Sequence, residues 1–89
     1  MAKKRERLEV IRDILISIHG RRKIRHAKLL HSSNLSPQMF KSYVFELLRK
    51  NFIREEKDGK IKYFVLTEKG TDFLKEYRVI EDIVVNFGL

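Results

Sequence analysis

The alternation of apolar and polar residues predicts three helices in the first half of the chain. Residues 7–20 carry apolar side chains at helical spacing, and Gly20 supplies a stop for this first helix. Its predicted inward stripe is Leu8, Ile11, Ile14, Leu15 and Ile18. Residues 26–34 read as a compact second helix, with Ala27, Leu30 and Ile24 directed inward and Ser32 to Asn34 at its end. The short basic connector between these helices has room for one brief strand.

The third helix is predicted in the segment LSPQMFKSYVFELLRKNFI. The Ser36 hydroxyl can cap the free amides, Pro37 suits the first helical position, and Asn51 tolerates the left-handed conformation that often ends a helix. At about 100° per residue the helix has two unlike faces. The inward face holds Phe40, Tyr43, Val44, Leu47 and Leu48. The outward face holds Gln38, Ser42, Phe45 and Arg49, with Lys41 at one border and Met39 and Glu46 at the other.

A hairpin and a fourth helix complete the chain. Asp58-Gly59 lies between two strand-like segments and is a strong hairpin signal, and Thr67 is suited to cap the helix that follows. This element order predicts an α+β, mostly helical, winged helix-turn-helix fold: three helices, a β-hairpin wing and a C-terminal helix. We expect residues 1–66 to form a DNA-binding domain and residues 67–89 to form a dimerisation helix packed on it.

Composition excludes several classes of protein. The apolar fraction is 43% and the charged fraction 36%, typical of an ordered soluble domain. The absence of cysteine excludes disulfides and zinc–thiolate sites, and no apolar run approaches the length of a membrane span. His19, His26 and His31 lack ligand spacing, so we expect neither a metal nor another cofactor. No nucleophile–base pair or phosphate loop indicates an enzyme, and the expected location is cytoplasmic, on the nucleoid.

The positive charge is concentrated at one end of the sequence. The net charge is +8, and residues 1–28 carry +7 of it, from ten Lys or Arg and three acidic residues. Such asymmetry favours a polyanionic partner. The basic start, residues 3–7, is either a flexible arm or the first turn of the first helix.

The third helix, the hairpin and the LTEKG segment at residues 66–70 together resemble an archaeal winged-helix family of about ten kilodaltons whose members bind DNA. The resemblance covers roughly residues 8–78. It implies dimerisation through the last helix as an antiparallel coiled coil. Asn51 stands where the family usually has glycine, and the last helix, at about 19 residues, spans only about 28 Å.

In a helix-turn-helix protein the recognition helix enters the major groove, and here that is the third helix. Gln38 could then contact adenine, Lys41 or Arg49 guanine or phosphate, and Ser42 either, while Ser36 would lie near a phosphate. Arg21, Arg22, Lys23 and Arg25 are expected to neutralise phosphates. The wing segment around Asp58-Gly59 has three lysines and three acidic residues, so we expect only auxiliary phosphate contacts, from Lys60 and Lys62.

The last helix carries an apolar stripe longer than a small domain can cover. Phe73, Leu74 and Tyr77 are expected to pack on the domain's own core. The predicted homodimer interface is Tyr77, Ile80, Ile83, Val84 and Phe87, because an exposed apolar patch usually marks an interface.

Three questions stay open at the level of sequence. Phe45 could touch thymine methyl groups or pack at the edge of the core, and packing is the favoured interpretation. A protein-interaction module, using Phe45 and Met39, is the alternative to a DNA-binding protein. RNA binding has a single candidate stacking residue, Tyr63.

Overall fold

The computed structural model describes residues 5–89, which form four helices and one antiparallel sheet. The elements are α1 (Arg7–Arg21), β1 (Lys23–Arg25), α2 (His26–Ser33), α3 (Pro37–Arg49), β2 (Ile53–Asp58), β3 (Ile61–Leu66) and α4 (Glu68–Asn86). The predicted fold is confirmed. The basic connector forms β1, which pairs with β3 and gives the strand order β1-β3-β2.

The core lies between α1, α3 and the inner face of the sheet. The α1 side chains meet Phe40, Val44 and Leu47 of α3, and Ile24 and Phe64 pair across β1 and β3. The buried residues of α1 are Val10, Ile11, Ile14, Leu15 and Ile18. Leu8 was predicted to extend this stripe but is 54% exposed, because the inward face of α1 begins only at Val10.

The inward face of α2 differs from the prediction. Ala27 is exposed and Leu29 is fully buried, while Leu30 is half-buried and Ile24 is buried as expected. The helix begins directly after β1, so strand pairing fixes its rotation and turns Leu29 and Ser33 toward the core. The predicted end of α2 is confirmed, since Asn34 has a left-handed φ of 57°.

Three further predicted helix boundaries are confirmed and one is wrong. Ser36 Oγ accepts the Met39 N–H, Thr67 Oγ1 accepts the Gly70 N–H, and Asn51 has φ 65° just after α3. Gly20 does not stop α1, which runs to Arg21 and ends at Arg22 with φ 63°. The helix can pass Gly20 because glycine is costly inside a helix but does not forbid it.

The junction of α3 with α4 is built around two backbone carbonyls. Thr67 Oγ1 lies 2.6 Å from the Asn51 oxygen and 3.0 Å from the Phe52 oxygen, and the Thr67 N–H donates to the latter at 3.1 Å. Gly70 lies so close to the Phe52 oxygen that a Cβ there would overlap it. The Thr67 and Gly70 positions of the LTEKG segment therefore fix the start of α4 against the end of α3.

An ion pair between Arg12 of α1 and Glu81 of α4 holds the two helices together. Arg12 bonds to Asp13 at 2.9 Å and to Glu81 at 2.5 Å, and its guanidinium lies 5.4 Å from the Tyr77 ring centre. Burial lowers the pKa of Arg12, but the hydrogen bonds and charges of Asp13 and Glu81 outweigh it and leave that pKa above its ordinary value. The charge of Arg12 is therefore permanent.

Arg5 connects the N-terminal region to two elements. It donates to Asp13 at 2.8 Å and to the Ser33 carbonyl at 2.6 Å, and thus ties the start of the described chain to α1 and to the end of α2. Residues 3–7 were expected to form either a flexible arm or the first turn of the first helix. Lys3 and Lys4 of this segment lie outside the described residues. Within residues 5–89, no helix is long and apolar enough to cross a membrane.

Candidate nucleic-acid interface

The outward face of α3 is exposed along its whole length. The spacing of Gln38, Lys41, Ser42, Phe45 and Arg49 places them on one side of the helix, and all five are exposed. The first four line one shallow depression. Neither Lys41 nor Arg49 is in an ion pair with any residue from 5 to 89, so both charges are available to a ligand.

The one carboxylate at the border of this face is neutralised. Glu46 pairs with Arg7 of α1 and with Lys50, whose Nζ lies 2.9 Å from Glu46 Oε1. Arg7 also lies over the Tyr43 ring, 5.9 Å from its centre. The Lys50 contact could have been predicted from its i,i+4 spacing, whereas the Arg7 contact spans 39 residues and leaves no local signal. The α3 face therefore presents donors and cations beside a carboxylate whose charge is neutralised.

The prediction that Phe45 packs at the edge of the core is wrong. Its side chain is 67% exposed. The core contact of α3 is already filled by Phe40, Val44 and Leu47, and one residue further along the helix is about 100° away from Val44. Phe45 thus projects from the middle of the polar α3 face.

A second basic surface lies where α1, β1 and α2 meet. We call Arg21, Arg22, Lys23, Arg25 and Lys28 the β1 basic surface; all are exposed, and all but Arg22 line a depression with Tyr63. Lys28 was not among the predicted contacts. Lys23 is partly engaged, because its Nζ lies 4.4 Å from the Tyr63 ring centre and 3.6 Å from Asp58. The other cations of this surface form no ion pair within the described chain.

His26 links this basic surface to α3. Its ring meets Phe40 edge-on at 5.2 Å between centres and Phe64 at 6.0 Å. The start of α2 is therefore packed against Phe40 of α3 and Phe64 of β3. His26 has a packing role, and among residues 5–89 no group of three or more His, Cys, Asp or Glu could hold a metal ion.

A winged helix-turn-helix family model matches residues 4–84. The chain belongs to this family. The resemblance seen in the sequence is confirmed, although a search of curated proteins gives no significant match.

Solved structures share the fold at low sequence identity. Sso10a-2, a DNA-binding protein from Sulfolobus solfataricus, has a TM-score of 0.76 and 18% identity over 93% of this chain and 85% of that one. F93 from STIV, a winged-helix DNA-binding protein, has a TM-score of 0.73 and 18% identity over 92% and 96%. The adhesin competence repressor AdcR from Streptococcus pyogenes has a TM-score of 0.69 and 20% identity, over 88% of this chain but 60% of its own.

The wing of this winged-helix protein is the β2–β3 hairpin. Gly59 has φ 63° at the turn, as Asp58-Gly59 predicted, and Lys60 lies in the same turn. Lys62 pairs across the hairpin with Lys57, and both are exposed. Asp58 is drawn toward Lys23, so part of the negative charge of the wing faces the β1 basic surface.

The predicted stripe on α4 divides into a covered and an uncovered part. Phe73 and Leu74 pack against the core as expected, and Tyr77 is half-buried beneath Arg12. Further along, Ile80, Ile83, Val84 and Phe87 are 59%, 46%, 41% and 75% exposed. Val79, Val85 and Leu89 are also exposed apolar residues but lie outside the predicted set.

Proposed function

We propose that this winged-helix protein binds double-stranded DNA, as a transcription regulator or a small chromosomal protein, with α3 in the major groove. The observation that carries the proposal is the α3 face: exposed donors and two unpaired cations beside a neutralised Glu46. Sso10a-2 and F93, which share the fold, are DNA-binding proteins. The alternative of a protein-interaction module that does not bind DNA has no support from these relatives.

The α3 side chains suit different parts of the duplex. Gln38 can pair with the N6 and N7 atoms of adenine, and Ser42 can bond to several bases. Lys41 and Arg49 suit guanine or phosphate. Ser36 and the free amides at the start of α3 suit a backbone phosphate.

We assign most of the affinity for DNA to contacts with backbone phosphates. The β1 basic surface adjoins the start of α2, the helix that crosses the backbone in this docking mode. Lys60 and Lys62 of the wing add auxiliary contacts. Such contacts position the protein without reading sequence.

Fluorescence anisotropy of a labelled random-sequence duplex, titrated at several salt concentrations, tests the proposal. We expect a steep loss of affinity with salt, with a log–log slope of about −0.9 for each neutralised phosphate. The variant Lys41→Ala/Arg49→Ala should bind more weakly. Its matched control, Lys75→Ala/Arg78→Ala, removes the same charge from exposed positions on α4 and should bind like the unmodified protein.

The outcomes separate the parts of the proposal. Absent or salt-independent binding would refute DNA as the partner. Equal weakening of both double variants would show that only net charge matters and would remove α3 from the interface.

The proposal includes a homodimer formed by residues 67–89, with residues 1–66 as the DNA-binding part. Tyr77, Ile80, Ile83, Val84 and Phe87 would form the interface; the last four expose apolar surface that is unfavourable in water. A dimer would place two α3 helices on one duplex, in the cytoplasm and on the nucleoid.

Sedimentation equilibrium tests the dimer directly. The expected mass is twice 10.7 kDa, and Ile80→Asp should reduce it to that of one chain. Val85→Asp is the matched control, because Val85 is 77% exposed and lies about 140° from Ile80 around the helix axis. A monomeric unmodified protein, or equal disruption by both variants, would contradict the assigned interface.

A further inference from the structure

Phe45 is an exposed aromatic side chain surrounded by polar and charged neighbours. It shares one depression of the α3 face with Gln38, Lys41 and Ser42, and it is 67% exposed. Arg49 follows one turn later on the same side. An apolar ring in the middle of a cationic face leaves unfavourable surface in water unless a ligand covers it.

The charges around Phe45 decide which ligand suits it. Lys41 lies one turn before Phe45 and Arg49 one turn after it, and the border carboxylate Glu46 is held by Arg7 and Lys50. A partner must therefore present a small apolar group flanked by negative charge. The major groove of DNA does so, because the C5-methyl group of thymine lies in the groove between the two phosphate backbones.

We propose that Phe45 is a specificity-determining residue that contacts the C5-methyl group of thymine in the major groove. This inference rests on the proposed DNA-binding function and adds to it a preference for methyl-bearing pyrimidines. Cytosine methylated at C5 carries the same group at the same place and is recognised in the same way. The ring supplies apolar contact only, so hydrogen-bond readout stays with Gln38 and Ser42.

The size of the preference follows from the burial of one methyl group. About 0.8 kcal/mol per buried carbon, at 1.4 kcal/mol for each tenfold change, corresponds to an affinity ratio of about four for each methyl contacted. Phosphate contacts are the same with and without the methyl group. The ratio should therefore persist across salt concentrations, while both affinities fall together.

Two pairs of duplexes of equal length and charge test the inference. One pair is alternating dA-dT against alternating dA-dU, which removes the methyl group. The other is alternating dG-dC against its 5-methylcytosine form, which adds one. We expect the unmodified protein to bind the methylated member of each pair more tightly, by about fourfold for each Phe45 that contacts a methyl group.

Variants of α3 separate a methyl contact from a change in DNA shape. Phe45→Ala should bind both members of each pair equally, and its exposed position should leave its thermal unfolding unchanged. Met39→Ala is the control: Met39 is 51% exposed at the border of the α3 face, and its substitution should preserve the affinity ratio of the unmodified protein.

The inference fails without affecting the proposed function if the unmodified protein binds the duplexes in a salt-dependent way but ignores the methyl group. It fails equally if Phe45→Ala keeps the ratio, because another part of the protein would then recognise the methyl group. Absence of binding to any duplex would instead refute the DNA-binding function, and this inference with it.

Discussion

Alanine at Gly70 should destabilise the protein, although alanine favours a helix more than glycine does. Gly70 lies in the first turn of α4, and a Cβ there would overlap the backbone oxygen of Phe52 and lie 3.3 Å from Leu66 Cδ2. The Phe52 oxygen cannot move freely, because it accepts the Thr67 N–H at 3.1 Å and lies 3.0 Å from Thr67 Oγ1. Relief of the overlap must therefore separate α4 from the end of α3.

Three terms set the size of the effect. Inserting a methyl group into a packed site costs about 2 kcal/mol, and weakening one hydrogen bond to the Phe52 oxygen costs about 1 kcal/mol. The higher helix propensity of alanine offsets up to about 1 kcal/mol of this destabilisation. The free energy of unfolding should fall by about 2 kcal/mol, which lowers Tm by about 8–16 °C in a domain of this size.

Urea unfolding followed by circular dichroism measures the change, with all variants at one protein concentration because association would shift the midpoint. Gly20→Ala is the matched control: Gly20 is an exposed helical glycine with nothing within 4 Å of a Cβ, so alanine there should stabilise by up to about 1 kcal/mol. A Gly70→Ala variant at least as stable as the unmodified protein would refute this account of the α3–α4 junction.

Substitutions at three other sites test individual features. Ser36→Ala should cost about 1 kcal/mol in urea unfolding, since the Met39 N–H is left without its acceptor, and Ser36→Thr should retain most of the stability. Asn51→Gly should stabilise by about 0.5 kcal/mol and Asn51→Ala destabilise by about 1 kcal/mol, because the site has φ 65°; the reverse order would contradict the helix-end geometry. Lys60→Ala/Lys62→Ala should reduce the salt slope of DNA binding by about 0.9 for each phosphate that the wing no longer neutralises, and a changed ranking of duplex sequences would show that the wing reads bases.

Local signals were sufficient for the order of elements and for most helix ends. The capping bonds of Ser36 and Thr67 and the left-handed turn at Asn51 involve backbone groups within four residues, so these roles at helix ends can be read from the sequence. The hairpin turn at Asp58-Gly59 is equally local. These short-range contacts also explain why the winged-helix fold could be predicted before any tertiary contact was known.

Features that depend on distant parts of the chain could not be predicted in this way. The prediction of the inward face of α2 was wrong because the eight residues of this helix span only about two turns. The pairing of β1 with β3 then decides the rotation of the helix about its axis. The neutralisation of Glu46 by Arg7 joins α3 to the start of α1, 39 residues away. The pairing of the border carboxylate Glu46 with Arg7 therefore appears only in three dimensions.

Phe45 shows how two kinds of sequence information can conflict. Helical spacing places it on the outward face, whereas its residue type favours burial at the edge of the core. The structure follows the spacing, because Phe40, Val44 and Leu47 already occupy the contact between α3 and the core. When apolar residues three and four positions apart anchor a short helix on the core, the rotation of the helix is fixed. An aromatic residue that does not follow this spacing is then held in solvent, whatever its hydrophobicity. Such a residue carries more information about a ligand than a buried one does, because nothing in the fold accounts for its presence.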